Sequence, residues 1–367
     1  MISFWLRFLL WLYFPFLLLL CGFMGWLIYL LVAALVNFTC VITVAAPLIV
    51  LLLATLLHVL WSLTSLLQKP PESLGIELRL PPESLKPVFL WVLDIARKQK
   101  LVLPQDIRMG AETIAHVYED RKGVRVLVLG GLAVAAFSQE TLAGIVAHEL
   151  AHFTAGDTRL SRNAAGLWQV IGVLEYRFRN QKAAHFNPLV WLIRLYHLLF
   201  ELAWAAKSRQ QEFAADRHQV HEAGKETAAA ALVVAMVSER LPWVRLSSIA
   251  KSHVAANEPI EQIFAEHWRR VQAIPADEWQ EACKKELKKK TGLFDTHPCL
   301  RERLQAIGVS PKQAVKLIQH QSGPPARNLF PDWEQIEKLL TEELILAYRV
   351  DYLAKREIAQ IILGKPR

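Results

Sequence analysis

The chain has 367 residues, a formal net charge of +8 and an apolar fraction of 53%. The apolar residues are concentrated at one end. Residues 1–67 hold a single charged side chain, Arg7, which excludes a wholly water-facing protein and divides the chain into a membrane part and a water-facing part. Four cysteines without a C-x-x-C pair exclude a disulfide framework, and the basic excess lacks the aromatic-interleaved stripe of a nucleic-acid binder, so no nucleic-acid partner is expected.

A bilayer core of about 30 Å takes about 20 apolar residues as a helix. The run from Phe4 to Leu67 is more than twice that length, with a break at Asn37, Phe38 and Thr39. It predicts two transmembrane helices, 4–35 and 40–67, rather than a signal peptide with its shorter apolar core. Basic residues lie outside this hairpin, at Arg7, Lys69, Arg79 and Lys86, and none lies in its turn. By the positive-inside rule both ends, and the water-facing part after them, face the cytoplasm. The net positive charge then suits anionic lipid headgroups. The run KKELKKK at 284–290 reads as a solvated helix face or as a contact with such a surface.

Residues 68–88 repeat PPESL twice and read as an extended, proline-punctuated linker. A helix is expected over 87–99. Two strands follow at 113–119 and 124–129, joined by a DRKG hairpin turn. Ser138 is placed to cap a helix that runs to about Ala155 and stops at Gly156. Two long helices are expected within 164–222, mostly helical structure after 240, and a final helix over 332–362.

The helix after Ser138 carries AHELAHFTAGD, residues 147–157. His148 and His152 are four apart and share a face, so both can ligate one metal ion, and Glu149 is placed to act as general base on an attacking water. The neighbours are almost all apolar. A helix so apolar is buried, and unpaired buried His and Glu are costly unless a metal compensates them. Catalytic zinc takes three protein ligands. SRQQEFAAD, 208–216, offers Glu212 as the third ligand and Asp216, four residues on, as acceptor for a ligand histidine's N–H. By itself this pair would read as a solvated acidic face.

AHELAHFTAGD, SRQQEFAAD and DTHPCLRERLQAIG (295–308) occur in that order. Together they resemble the membrane zinc metallopeptidases that include the heat-shock protease HtpX and the CAAX prenyl endopeptidases. The resemblance spans about 124–308. It implies one Zn2+ per chain held by His148, His152 and Glu212, with Glu149 as catalytic base. It implies a mainly α fold with a small β-sheet (α+β, a zincin-like peptidase domain) behind the transmembrane hairpin. The expected domains are the hairpin 1–67, the linker 68–88, the peptidase 89–308 and a helical extension 309–367. HtpX-like proteins carry a second membrane hairpin between the metal motifs. Here the only segment of spanning length is 187–206, which includes Arg194, His197 and Glu201. These three form a stripe that, extended, reaches Glu212. It reads either as a groove leading to the metal or as an ion network within one interfacial helix.

The remaining candidates lie in or near the third motif. His297 can donate to the developing oxyanion, cover the open metal position, or simply belong to a helix cap starting near 298; Arg301 and Arg303 are further donors. Asp157 can bind a basic residue of this segment. The strand 124–129 is a candidate edge for an extended substrate. The expected protein is an endopeptidase acting on membrane-associated or misfolded proteins by a Glu-activated water, in a bacterial inner membrane with its peptidase domain in the cytoplasm. A processing protease for C-terminal or lipidated peptides, and a non-catalytic zinc-containing scaffold, are the alternatives. Oligomeric state is not readable from the sequence.

Overall fold

The computed structural model describes all residues except 1, 38–41, 65–74, 112–113, 121, 180–186, 239, 315, 317–322 and 363–367. The turn at 38–39 and the first third of the linker, 68–74, therefore lie outside the described residues. In chain order the elements are α1 (Ile2–Asn37), α2 (Ile42–Thr64), β1 (Glu77–Arg79), α3 (Pro82–Gln99), β2 (Asp106–Gly110), β3 (Ala115–Glu119), β4 (Arg125–Gly130) and α4 (Gly131–Ala136). Then come α5 (Gln139–Thr154), α6 (Asp157–Arg179), α7 (Pro188–Ala223), α8 (Lys225–Ser238), α9 (Leu246–Ala256) and α10 (Ile263–Gln272). The chain ends with α11 (Ala276–Leu287), α12 (Leu300–Ala306), α13 (Pro311–Ala314), a 3-10 turn (Ala326–Leu329) and α14 (Trp333–Ile362). The protein is mainly helical with a four-stranded sheet, as the sequence implies.

Two compact units divide the chain. One comprises 1–71, 160–209 and 292–296. On α1, Leu6, Tyr13, Leu17, Leu20 and Met24 form a buried stripe, and Phe4, Trp11, Leu18, Leu19 and Trp26 stay exposed on the rest of the helix. The stripe belongs to a core with Val59 of α2, Leu167 and Leu174 of α6, and Ile193 and Phe200 of α7. Bulky apolar residues left outside such a core are what a lipid-facing helix shows. Among the described residues three helices are long and apolar enough to cross a membrane, over Phe4–Ala34, Ala46–Thr64 and Leu189–Ala223.

The other unit comprises 72–159, 210–291 and 297–367. Its sheet has the order β1-β2-β4-β3, antiparallel except for the parallel β2–β4 pair. β4 is therefore interior, and its buried run from Val126 to Leu129 follows from having neighbours on both sides. This corrects the expectation that 124–129 is a free edge; the edge beside β4 is β3. α14 packs on α9 and α10, so the C-terminal segment belongs to this unit's core.

The reading of 68–88 as extended linker also needs correction. β1 pairs with β2 there, and α3 starts at Pro82, five residues earlier than expected. Proline fits a helix's first turn because its missing N–H has no partner to lose there. α3 then carries Pro87 inside it and buries Val88, Val92, Ile95 and Ala96 on one face.

Candidate metal centre

α5 begins as its sequence dictates. Ser138 caps it, accepting from the Thr141 N–H at 3.2 Å, and Gly156 follows its end at φ 71°, a conformation natural to glycine. The helix buries Leu142, Ile145, Val146, Ala147, Leu150 and Phe153. It meets the C-terminal half of α7 at Gly144, where an added Cβ would stand 2.7 Å from Ala223 Cβ.

From that contact the two helices bring the sequence-derived ligands together. His148 Nε2 lies 3.7 Å from Glu212 Oε2, and His152 Nε2 lies 3.8 Å from Glu212 Oε1. One ligand atom from each of the three residues falls within 4.8 Å of the others. Bonds of about 2.0–2.1 Å to a tetrahedral zinc separate ligand atoms by roughly 3.3 Å, so this donor set fits such an ion with small adjustments. Glu212 is buried, and so is His148. Glu149, one residue along α5 from His148, is half-buried, and burial pushes its carboxyl above the usual carboxylate range.

Behind the ligands, His148 Nδ1 faces Asp216 Oδ1 at 3.2 Å, close enough to pair but short of full hydrogen-bond alignment. Asp216 is almost completely enclosed, and Arg303 of α12 grips it. Arg303 Nε donates to Oδ2 at 2.9 Å and Nη2 to Oδ1 at 2.5 Å. Its third nitrogen, Nη1, lies 3.2 Å from Glu212 Oε2. From the sequence Arg303 is a further candidate, after His297, for donating to an oxyanion. Its two-pronged bond to Asp216 makes it instead a positioning residue behind the ligand set. No spacing rule ties α12 to α7; only the third motif hinted at it.

His297 is exposed, yet its Nδ1 lies 3.2 Å from Glu212 Oε1. The hydrogen bond to this carboxylate holds the imidazole pKa above its ordinary value. The 295–298 segment does not form the cap of α12, which starts at Leu300; Thr291 Oγ1 accepts from Cys299 N instead. Arg301 is exposed and has no assigned contact with the ligands. The side chain of Asp157 lies outside the described ones.

Arg194, His197 and Glu201 fall in the other unit. His197 is buried, its Nε2 3.1 Å from Tyr13 OH and its Nδ1 3.4 Å from Glu175 Oε1. Arg194 Nε lies 3.8 Å from the other Glu175 oxygen. His197 is thus enclosed by α1 and α6, and Arg194 and Glu201 stay half-buried. The ion network joins helices through Glu175, a residue the sequence reading did not single out.

Two packed helices presenting two histidines and a glutamate to one point, with a second glutamate beside them, define a metallopeptidase type of centre. The model of Peptidase family M48 matches residues 97–309, more than half the chain and all of these residues, and the protein belongs to that family, which contains HtpX and the CAAX prenyl proteases. No curated protein and no solved structure matches it. It is a membrane-associated metallopeptidase.

Proposed function

We propose that the protein is a zinc endopeptidase that cleaves extended segments of membrane-associated or misfolded proteins. The convergence of His148, His152 and Glu212 beside Glu149 carries this reading. When bound, zinc supplies a Lewis acid that makes water more acidic and polarises a carbonyl. The two imidazoles and the Glu212 carboxylate would hold it. Asp216 orients the His148 ring through Nδ1, and Arg303 fixes Asp216. Glu149 takes the proton of the attacking water and returns it to the leaving amine. His297, exposed beside Glu212, is placed to donate to the oxyanion as it forms.

The substrate adds to β3. Among the described residues that strand pairs with β4 alone, and it packs against α5, which carries the ligands. Backbone pairing of this kind selects extended chains and reads little sequence. The charge asymmetry about the hairpin supports a cytoplasmic location for this unit.

The test is cleavage of casein and of an unfolded membrane protein by the full chain, compared with Glu149→Gln. Loss of the base should lower the rate by about 10²–10⁴-fold while the metal is retained. Equal cleavage by both proteins would overturn the proposal.

A further inference from the structure

At the start of α5, the end away from His148 and His152, lies a half-open cavity of about 1470 Å³. Ser138, the cap of α5, lines it, about 15 Å of helix rise from His148. Phe137, Trp268 and Trp279 give it an aromatic wall, and Val271, Ile274 and Leu287 an aliphatic one. Its other members include four cations: Lys284 of α11, Lys312 of α13, Lys316 and Arg327. All four are exposed, and none forms an ion pair among the described residues. Among the described residues no acidic side chain lines the cavity; Glu140, which lies against Gly323, is not one of its lining residues.

A second observation points to a ligand. Trp279 is 3% exposed, and its indole Nε1 is a buried donor with no hydrogen-bond partner among the described residues. A buried N–H without an acceptor is destabilising, and an oxygen-bearing ligand relieves it once a small turn of the ring brings the N–H to the cavity. Lys284 also opens the basic run at 284–290, which the metal centre does not use.

We propose that this cavity binds a long-chain carboxylate of the fatty-acid type. The apolar walls take the acyl chain, and the carboxylate supplies the acceptors that the cations and the indole N–H lack. The aliphatic residues suit a flexible chain better than a flat base, and no acid is present to take the hydroxyl donors of a sugar. The site is separate from the metal centre and does not depend on the activity proposed for it.

The experiment uses the full chain in nanodiscs of neutral phosphatidylcholine and a palmitate analogue bearing a photoactivatable diazirine, with labelled peptides mapped by mass spectrometry. Label should fall within 268–287 and 311–327. Palmitate should displace it; hexadecanol and ATP should not. Charge reversal at the exposed rim, Lys312→Glu with Arg327→Glu, should cut labelling by about tenfold. Trp279→Phe, which keeps most of the ring, should cut it by about threefold or more. The rim pair decides the matter if the tryptophan variant does not fold. Several results would overturn the proposal: equal competition by hexadecanol, better competition by ATP or by an acidic peptide, or label confined to α1 and α2. So would label that appears only when 317–322 is replaced by glycine and serine, because the chain itself would then fill the cavity.

Discussion

Gly144 and Ala223 bring the two helices of the metal centre together: a Cβ on Gly144 would stand 2.7 Å from Ala223 Cβ and 3.2 Å from Gln219 Cγ. The register runs on from this contact. One turn along α5, His148 faces Asp216; another turn along, His152 faces Glu212. The separation of ligand atoms is thus set by a missing methyl group one turn away. Gly144→Leu should force α7 outward and weaken zinc binding by at least about tenfold, with an overpacking cost of about 1–3 kcal/mol. Gly144→Ala should do the same more weakly. Zinc titration against a competing chelator, alongside thermal melting, measures both. Unchanged zinc affinity in Gly144→Leu would show that the glycine does not set the ligand spacing.

Arg303 neutralises the buried Asp216 and touches Glu212. Arg303→Met removes both hydrogen bonds from the buried Asp216 carboxylate and leaves it only the His148 ring, so it should destabilise the second unit by about 3–5 kcal/mol. Lysine should not rescue it, since it has no planar fork to span both Asp216 oxygens. The double variant Asp216→Asn/Arg303→Met should recover part of the loss, because no unpaired charge remains. Denaturant unfolding of metal-free protein separates this effect from metal binding. No loss in Arg303→Met would refute the pairing.

The main features of the metal centre were legible in the sequence because a helix repeats every 3.6 residues. That period put His148 with His152 and Glu212 with Asp216 on common faces before any tertiary contact was known. What the sequence could not show was how separate elements meet. Arg303 reaches Asp216 from another helix, and Glu175 stands between Arg194 and His197 from α6. β1 has three residues and β2 five, too short for a pattern of alternation to stand out, so their sheet neighbours were hidden. Without them β4 looked like an edge. PPESL resembles a linker because proline breaks a helix interior, although at Pro82 it begins α3.

His267 on α10 is buried, and neither ring nitrogen has a hydrogen-bond partner among the described residues. Burial, with Arg270 nearby, lowers its pKa to about 4. The unfolded chain, with an ordinary histidine near 6.5, therefore binds the proton more tightly than the folded one. The associated stability is fully present above about pH 6.5 and is lost as pH falls toward 4, on the order of 3 kcal/mol in all. His267→Leu should flatten this part of the stability profile. Parallel wild-type and variant slopes between pH 6.5 and 4 would contradict the assignment.

Glu175 holds both Arg194 and His197, whereas Glu201 pairs with neither among the described residues. Glu175→Ala should lower the melting temperature of the first unit, at a cost of about 1–2 kcal/mol. Glu201→Ala should cost less and leave peptide cleavage unchanged. Scanning calorimetry in detergent and a casein assay read the two effects. A larger loss from Glu201→Ala would restore the intrahelical network as the better description.

The most direct test of the whole account is metal content, by mass spectrometry of the purified full chain after dialysis. We expect one zinc per chain in the wild type and in Glu149→Gln, and almost none in Glu212→Gln or His152→Ala, which each remove one of the three converging ligands. A wild type without zinc, or a Glu212→Gln variant that keeps its full complement, would contradict it.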